Sequence, residues 1–173
     1  MASHESCIPL LMVSLFLFSQ YFVSADMSLI RAICKTTPYS NVCFSVLASD
    51  PRSITASDKT SLARIAMQIT AAKCHDISLY ASQLLRNATD PGYKQDLEDC
   101  RDSYDQVEFG ITQDGLPKFD QGRYGDAGRD TQDAAIASET CDEHGIKALE
   151  RMNTLISDFS IDAKTIVNSL SKS

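Results

Sequence analysis

Chemistry at a protein site starts from a nucleophile, a proton carrier or a set of metal donors. The raw candidates here are six cysteines, three histidines and several neighbouring carboxylates. Histidine, the usual general base, is scarce, being confined to His4, His75 and His144. The acidic pairs Glu98-Asp99 and Asp142-Glu143 are adjacent in sequence. On a helix, adjacent side chains point about 100° apart, so these read as solvated faces and not as a catalytic dyad. The chain has no Gly-x-Ser-x-Gly, no P-loop, no His-Glu-x-x-His and no dinucleotide fingerprint. His75 beside Cys74 and His144 three residues after Cys141 lack a Cys-x-x-Cys partner, so they read as ordinary helix-surface histidines. Asp120 is followed by Gly122 and Tyr124 where a calcium loop needs oxygen ligands. We therefore expect no catalytic residue, no metal and no cofactor.

Composition narrows the partners. Net charge is −7 and there is no run of Lys and Arg, so a phosphate backbone has no surface to bind and nucleic acid is not expected. Trp is absent, which argues against stacking platforms. From Ile8 to Phe18 the chain is almost wholly apolar, too short to span a bilayer, and Val23-Ser24-Ala25 follows. Residues 1–25 are expected to be a signal peptide cleaved between Ala25 and Asp26. No later stretch reads as membrane-spanning, so no membrane partner is expected once the leader is removed. Cys7 leaves with the leader, and Cys34, Cys43, Cys74, Cys100 and Cys141 remain for an oxidising compartment. Spacing alone leaves their pairing open.

The elements that position these residues are helical. Leu62, Ile65, Ile69, Ala72 and Leu79 recur at helical spacing after a candidate N-cap at Ser57 or Asp58. Leu97, Cys100, Tyr104, Val107 and Ile111 form a second stripe. Ala127, Thr131, Ala134, Ser138 and Cys141 form a third, of small residues, and Leu149, Met152, Ile156, Phe159, Ala163, Ile166 and Leu170 form a fourth. No segment shows strand alternation. The expected fold is all-α, an antiparallel four-helix bundle over 58–173 preceded by a helical hairpin over 26–57. In the hairpin, Cys34 and Cys43 flank Pro38, a spacing that suits a staple. Cys100 and Cys141 both fall on core-facing stripes and suit each other. Cys74 lies on a weaker stripe with Met67, Ala71 and Ala81, and is expected to be a free thiol, covered by the hairpin.

Five of the seven glycines fall between Gly110 and Gly128, in GITQDGLPKFDQGRYGDAG. The stretch is longer than a usual bundle connection. It reads either as a recognition tip that exposes Lys118 and Phe119 around Pro117, or as a solvated loop with Phe119 folded back on the bundle. Asn87-Ala88-Thr89 is an N-glycosylation sequon in a helix-to-helix turn, where Asn87 also suits a C-terminal cap.

With its cysteines in ICKTTPYSNVC, LEDCRDSY and ASETCDEH, the chain resembles the plant invertase inhibitor and pectin methylesterase inhibitor family over nearly all of 26–173. The resemblance implies a four-helix bundle with an N-terminal hairpin, and bridges Cys34–Cys43 and Cys100–Cys141. Cys74 is extra to that pattern. It further implies a secreted, monomeric inhibitor whose partner is an acid invertase of the wall or vacuole or, alternatively, a pectin methylesterase. A non-inhibitory binding module on the same scaffold is a third alternative. Pro117-Lys118-Phe119 matches the motif by which the invertase branch enters its target's substrate cleft, and this makes those three residues the expected inhibitory loop.

Overall fold

The computed structural model describes residues 27–172. The expected leader, its cleavage point at Ala25–Asp26 and Cys7 lie outside the described residues. Among those residues the chain forms helices and turns and no strand, the all-α bundle that the periodicity implies. Helix α1 covers residues 27–34. It is followed by α2 (Ser40–Ala48), the short α3 (Pro51–Ile54), α4 (Lys59–Asn87) and α5 (Pro91–Gly110). A π turn over Ile111–Gly115 leads into α6 (Leu116–Asp120), and α7 (Tyr124–Glu143) and α8 (Glu150–Asn168) complete the fold. The four long helices α4, α5, α7 and α8 make the bundle, and α1 and α2 form a hairpin whose second helix packs on α8.

The helix starts follow local chemistry. Asp58 accepts from the Ser61 amide at 2.7 Å and Ser61 Oγ accepts from the Asp58 amide at 3.3 Å, a reciprocal cap that begins α4. Asp90 accepts from the Tyr93 amide at 2.8 Å, with Pro91 in the first turn, and begins α5. Two bridges cross the fold. Cys34 joins Cys43 inside the hairpin, and Cys100 joins Cys141 between α5 and α7.

The stripes on α5, α7 and most of α8 point inward as expected. Leu97, Tyr104, Ala127, Thr131, Ala134, Phe159 and Ile166 are all buried. The expected stripe on α4 holds at Leu62 and Ile69, which are buried, and is corrected at its other positions. Leu79 is 48% exposed, Ala72 is exposed and Ile65 is only half-buried. The buried face instead runs through Ala63, Ala66, Met67, Thr70, Ala71, Cys74, Ile77 and Ala81. Packing explains the change: the small side chains let α4 approach its neighbours closely, while Leu62, Met67, Ile69 and Ile77 fill the rest of the same face. The same logic operates where α7 meets α8. The Asn168 side chain occupies the space a Cβ on Gly128 would need.

One polar network in this core links three helices. Tyr104 donates its hydroxyl to Asn153 Oδ1 at 2.9 Å, and Asn153 Nδ2 donates to Asp142 Oδ1 at 2.6 Å, linking α5, α8 and α7. Cys74 is free and fully buried. Burial, with the Glu108 carboxylate of α5, pushes its thiol up to about 12. That keeps it a thiol and unreactive at any ordinary pH.

Candidate functional site

The glycine-rich stretch is not a loop. Helical geometry runs from α5 through the π turn and α6 as far as Asp120. The expectation of an exposed tip carrying Lys118 and Phe119 is corrected here. Pro117 supplies no amide and its ring crowds the carbonyl four residues back, which would break a regular helix. The π turn immediately before it, closed by the Leu116 amide on the Ile111 carbonyl, absorbs that misfit. The chain then stops at a defined point. The Arg123 amide donates to the Lys118 carbonyl and the Gly122 amide to the Phe119 carbonyl, both at 2.9 Å. This is a Schellman ending, with Gly122 at φ +75° in the position that needs the left-handed conformation.

The three residues of the expected inhibitory loop are therefore fixed on one corner, each in a different environment. Pro117 is exposed. Phe119 is 4% exposed and packs edge-on against Tyr124, with ring centroids 5.1 Å apart, so the fold-back alternative is the one observed. Burying the ring removes apolar surface from water, and nothing at the corner opposes it. Lys118 is half-buried, and its Nζ donates to Asp130 Oδ2 at 2.8 Å, across to α7. That hydrogen bond holds the ammonium above its ordinary pKa. A second fastening comes from α4: Arg64 donates to both carboxylate oxygens of Asp120, at 2.9 and 3.1 Å. The guanidinium holds Asp120 below the usual carboxylate range. Arg123 and Arg129 both reach Asp126 on the first turn of α7. The hydrogen bond from Arg123 chiefly lowers the pKa of Asp126.

Beside this corner a groove of about 330 Å³ runs between α5 and α7, floored by Val107, Gly110 and Ala137 and edged by Asp130 and Asp133. Burial and then the Asp130 charge push the Asp133 carboxyl up. Ile136 lines the groove and is 57% exposed, and Phe109, next to its Gly110 floor, is 63% exposed. Neither belongs to the sequence-derived site. Phe109 sits between Val107 and Ile111, off the core stripe of α5, and that displacement was the available signal.

The remaining expected site residues lie elsewhere. Asn87 is exposed at the end of α4, where its Nδ2 donates to the Gln83 carbonyl. His75 is exposed. His144 is not a bare surface residue, since its Nδ1 stands 3.0 Å from Asp96 on α5. Among the described residues no three His, Cys, Asp or Glu side chains converge as a metal site, and no helix is long and apolar enough to cross a membrane.

The helical fold now has counterparts among known proteins. The family described as plant invertase/pectin methylesterase inhibitor matches residues 28–171. The chain belongs to this family. A cell wall / vacuolar inhibitor of fructosidase 2 from Arabidopsis thaliana is 36% identical over 104 residues, covering 58% of this chain and 57% of that protein. A pectinesterase inhibitor from Actinidia deliciosa is 34% identical over 100 residues, covering 56% and 54%. The chain thus spans little more than half the length of these curated relatives. Two solved pectin methylesterase inhibitors from Arabidopsis share the fold. One, a mutant form, superposes with a TM-score of 0.68 and the other with 0.60. Each is 17% identical and covers 83% of this chain, which accounts for 95% and 96% of theirs.

Proposed function

We propose that the protein is an inhibitor and not an enzyme, and that its target is an acid invertase engaged by the corner Pro117–Phe119. The observation that carries the reading is the tripeptide's position in the short helix α6, fastened at the corner between two bundle helices, with Pro117 exposed and Lys118 26% exposed. Glycoside hydrolases work with paired carboxylates, and a cation on a pre-ordered turn complements such a cleft at low entropic cost. Burial of Phe119 gives the ring a supporting part, so that Pro117 and Lys118 make the contact. The 36% identity to a fructosidase inhibitor supports the same target.

A second reading, inhibition of a pectin methylesterase, draws on the exposed Phe109 and Ile136 beside the α5–α7 groove, a helix-face surface that adjoins the corner at Asp130. The 34% identity to a pectinesterase inhibitor accompanies it. Secretion after cleavage at Ala25–Asp26, delivery to wall or vacuole, and a glycan on the exposed Asn87 belong to the same proposal.

Titration of the purified protein against acid invertase and, separately, pectin methylesterase tests the choice. Expected is inhibition of invertase that weakens about tenfold or more in Lys118→Ala, because interface energy concentrates in a few anchors. An Ile136→Asp variant is expected to leave it intact. Inhibition of pectin methylesterase alone, lost in Ile136→Asp and kept in Lys118→Ala, would replace the first reading by the second.

A further inference from the structure

The fastening of the corner has a consequence for binding. Lys118 and Asp130 are 26% and 21% exposed, and the ammonium is bonded to the carboxylate, not held out to solvent. Gly115 packs close beside Asp130. A Cβ there would stand 3.3 Å from Asp130 Cβ and 3.3 Å from Met67, so the π turn brings the backbone tight against α7 and α4. Asp114 and Asp133 also act on or feel the Lys118 charge, and Arg123 opposes it, but among the described residues Asp130 alone makes an ion pair with Lys118.

We infer that Asp130 is a positioning residue that keeps the Lys118 ammonium engaged in the free protein, so that a target must win this cation from Asp130 before it can use it. The inference rests on reading the corner as the inhibitory element. A ligand carboxylate that takes Lys118 loses the free energy of the internal pair from its gain, since binding reports only the difference between bound and free contacts. Asp130 then sets how readily the corner accepts a carboxylate-lined cleft. The exchange is feasible because the pair lies near the surface, where such pairs contribute little.

The test uses the isosteric Asp130→Asn, which keeps the shape of the contact beside Gly115, in the full mature chain. The first readout needs no target. Under limiting amine-reactive acetylating reagent, the rate of modification at Lys118, followed by peptide mass, is expected to rise about two- to fivefold, the range corresponding to loss of a part-exposed ion pair. The second is the inhibition constant for acid invertase, which is expected to fall by a similar factor. In a Lys118→Met background, Asp130→Asn is expected to change the inhibition constant no further, an outcome that a general structural role would not give. An unchanged labelling rate overturns the inference, as does an inhibition constant that rises in Asp130→Asn. If labelling rises while neither protein inhibits invertase, Asp130 holds Lys118 as inferred and the invertase reading is what falls.

Discussion

The N-terminal hairpin and the α6 corner are both small helical appendages on the same bundle, and they are fastened by opposite means. The hairpin is closed by the Cys34–Cys43 bridge and lodged on α8 through buried groups. Between Met27 and Ser49 it has no acid of its own, so the carboxylate at its turn comes from the bundle. Asp162 of α8, wholly buried, accepts the Tyr39 amide at 2.9 Å. The corner has no covalent link. It is held by a Schellman turn, a buried ring and two ion pairs whose partners reach solvent. Buried and covalent fastenings are fixed once, at folding. Solvent-facing ion pairs exchange with little cost, since water and counter-ions compete for them continually. A region meant to present a shape can use the first kind, whereas a region meant to trade partners needs the second.

Removing the bridges is the strongest way to break this contrast. On the loop-entropy account, closing 41 residues between Cys100 and Cys141 stabilises by about 4 kcal/mol, and closing 9 between Cys34 and Cys43 by about 3 kcal/mol. The double variant Cys100→Ser, Cys141→Ser should lower global stability by that larger amount in urea unfolding. The double variant Cys34→Ser, Cys43→Ser should act chiefly on the hairpin, with amide exchange rising over 27–48 before the bundle opens. Corner amides over 116–122 should be unaffected by the hairpin change. Equal loosening of both regions would show that they are one cooperative unit and would remove the distinction.

A smaller effect is expected from the corner. Gly122 takes φ +75° and a Cβ there would meet nothing within 4 Å. Gly122→Ala therefore isolates backbone strain from crowding, at a cost of about 1–2 kcal/mol. Thermal unfolding measures the cost. A loss confined to faster exchange at 116–123, with the unfolding midpoint unchanged, would show that the corner opens on its own.

These two regions also mark where the sequence was legible. Cys34, Pro38 and Cys43 suit a stapled hairpin by their spacing, but the pairing itself came from the family resemblance, since spacing alone leaves it open. Stripes of large residues on α5 and α8 are plain, since only an inward face can bury Leu97, Ile156 and Phe159 together. On α4 the rule of large residues inward held for Leu62 and Ile69 but missed Ile65 and Leu79, because Ala63, Ala66 and Ala71 share the inner face by being small. At the corner, Gly110, Gly115 and Pro117 read as helix breakers. A π turn is a tertiary compromise with no single-residue signature, and it let the helix pass through all three. Whether Phe119 faced out or in depended on finding Tyr124 across the turn, a contact that spacing leaves undetermined. Gly122 was the exception there: a glycine following Lys118-Phe119-Asp120-Gln121 is the stop signal that the Schellman ending uses.

The last and smallest effect sets the two fastenings against pH. Burial raises the Asp162 carboxyl, and the Asp158 charge adds to this, while the Tyr39 amide, the Thr37 hydroxyl and the Cys43 amide oppose it. At the corner the sign is reversed, because Arg64 lowers Asp120 and Arg123 lowers Asp126. A carboxyl raised on folding keeps its proton longer in the native state, so it adds no penalty below the unfolded value of about 4 and an increasing one as pH climbs towards its folded value. A lowered carboxyl contributes stability above about 4 and loses it as pH falls through its folded value. Acidification from neutrality therefore relieves the hairpin anchor first and weakens the corner only below the ordinary carboxylate range. Asp162→Asn keeps an oxygen to accept from Tyr39 and removes the titration. The stability difference between wild type and Asp162→Asn should shift in favour of wild type as pH is lowered from 7 to 4, while the corresponding difference for Asp120→Asn stays level over that window. A flat curve for Asp162→Asn would mean that the hydrogen bonds to the carboxylate offset its burial in full, and the anchor would then carry no pH dependence.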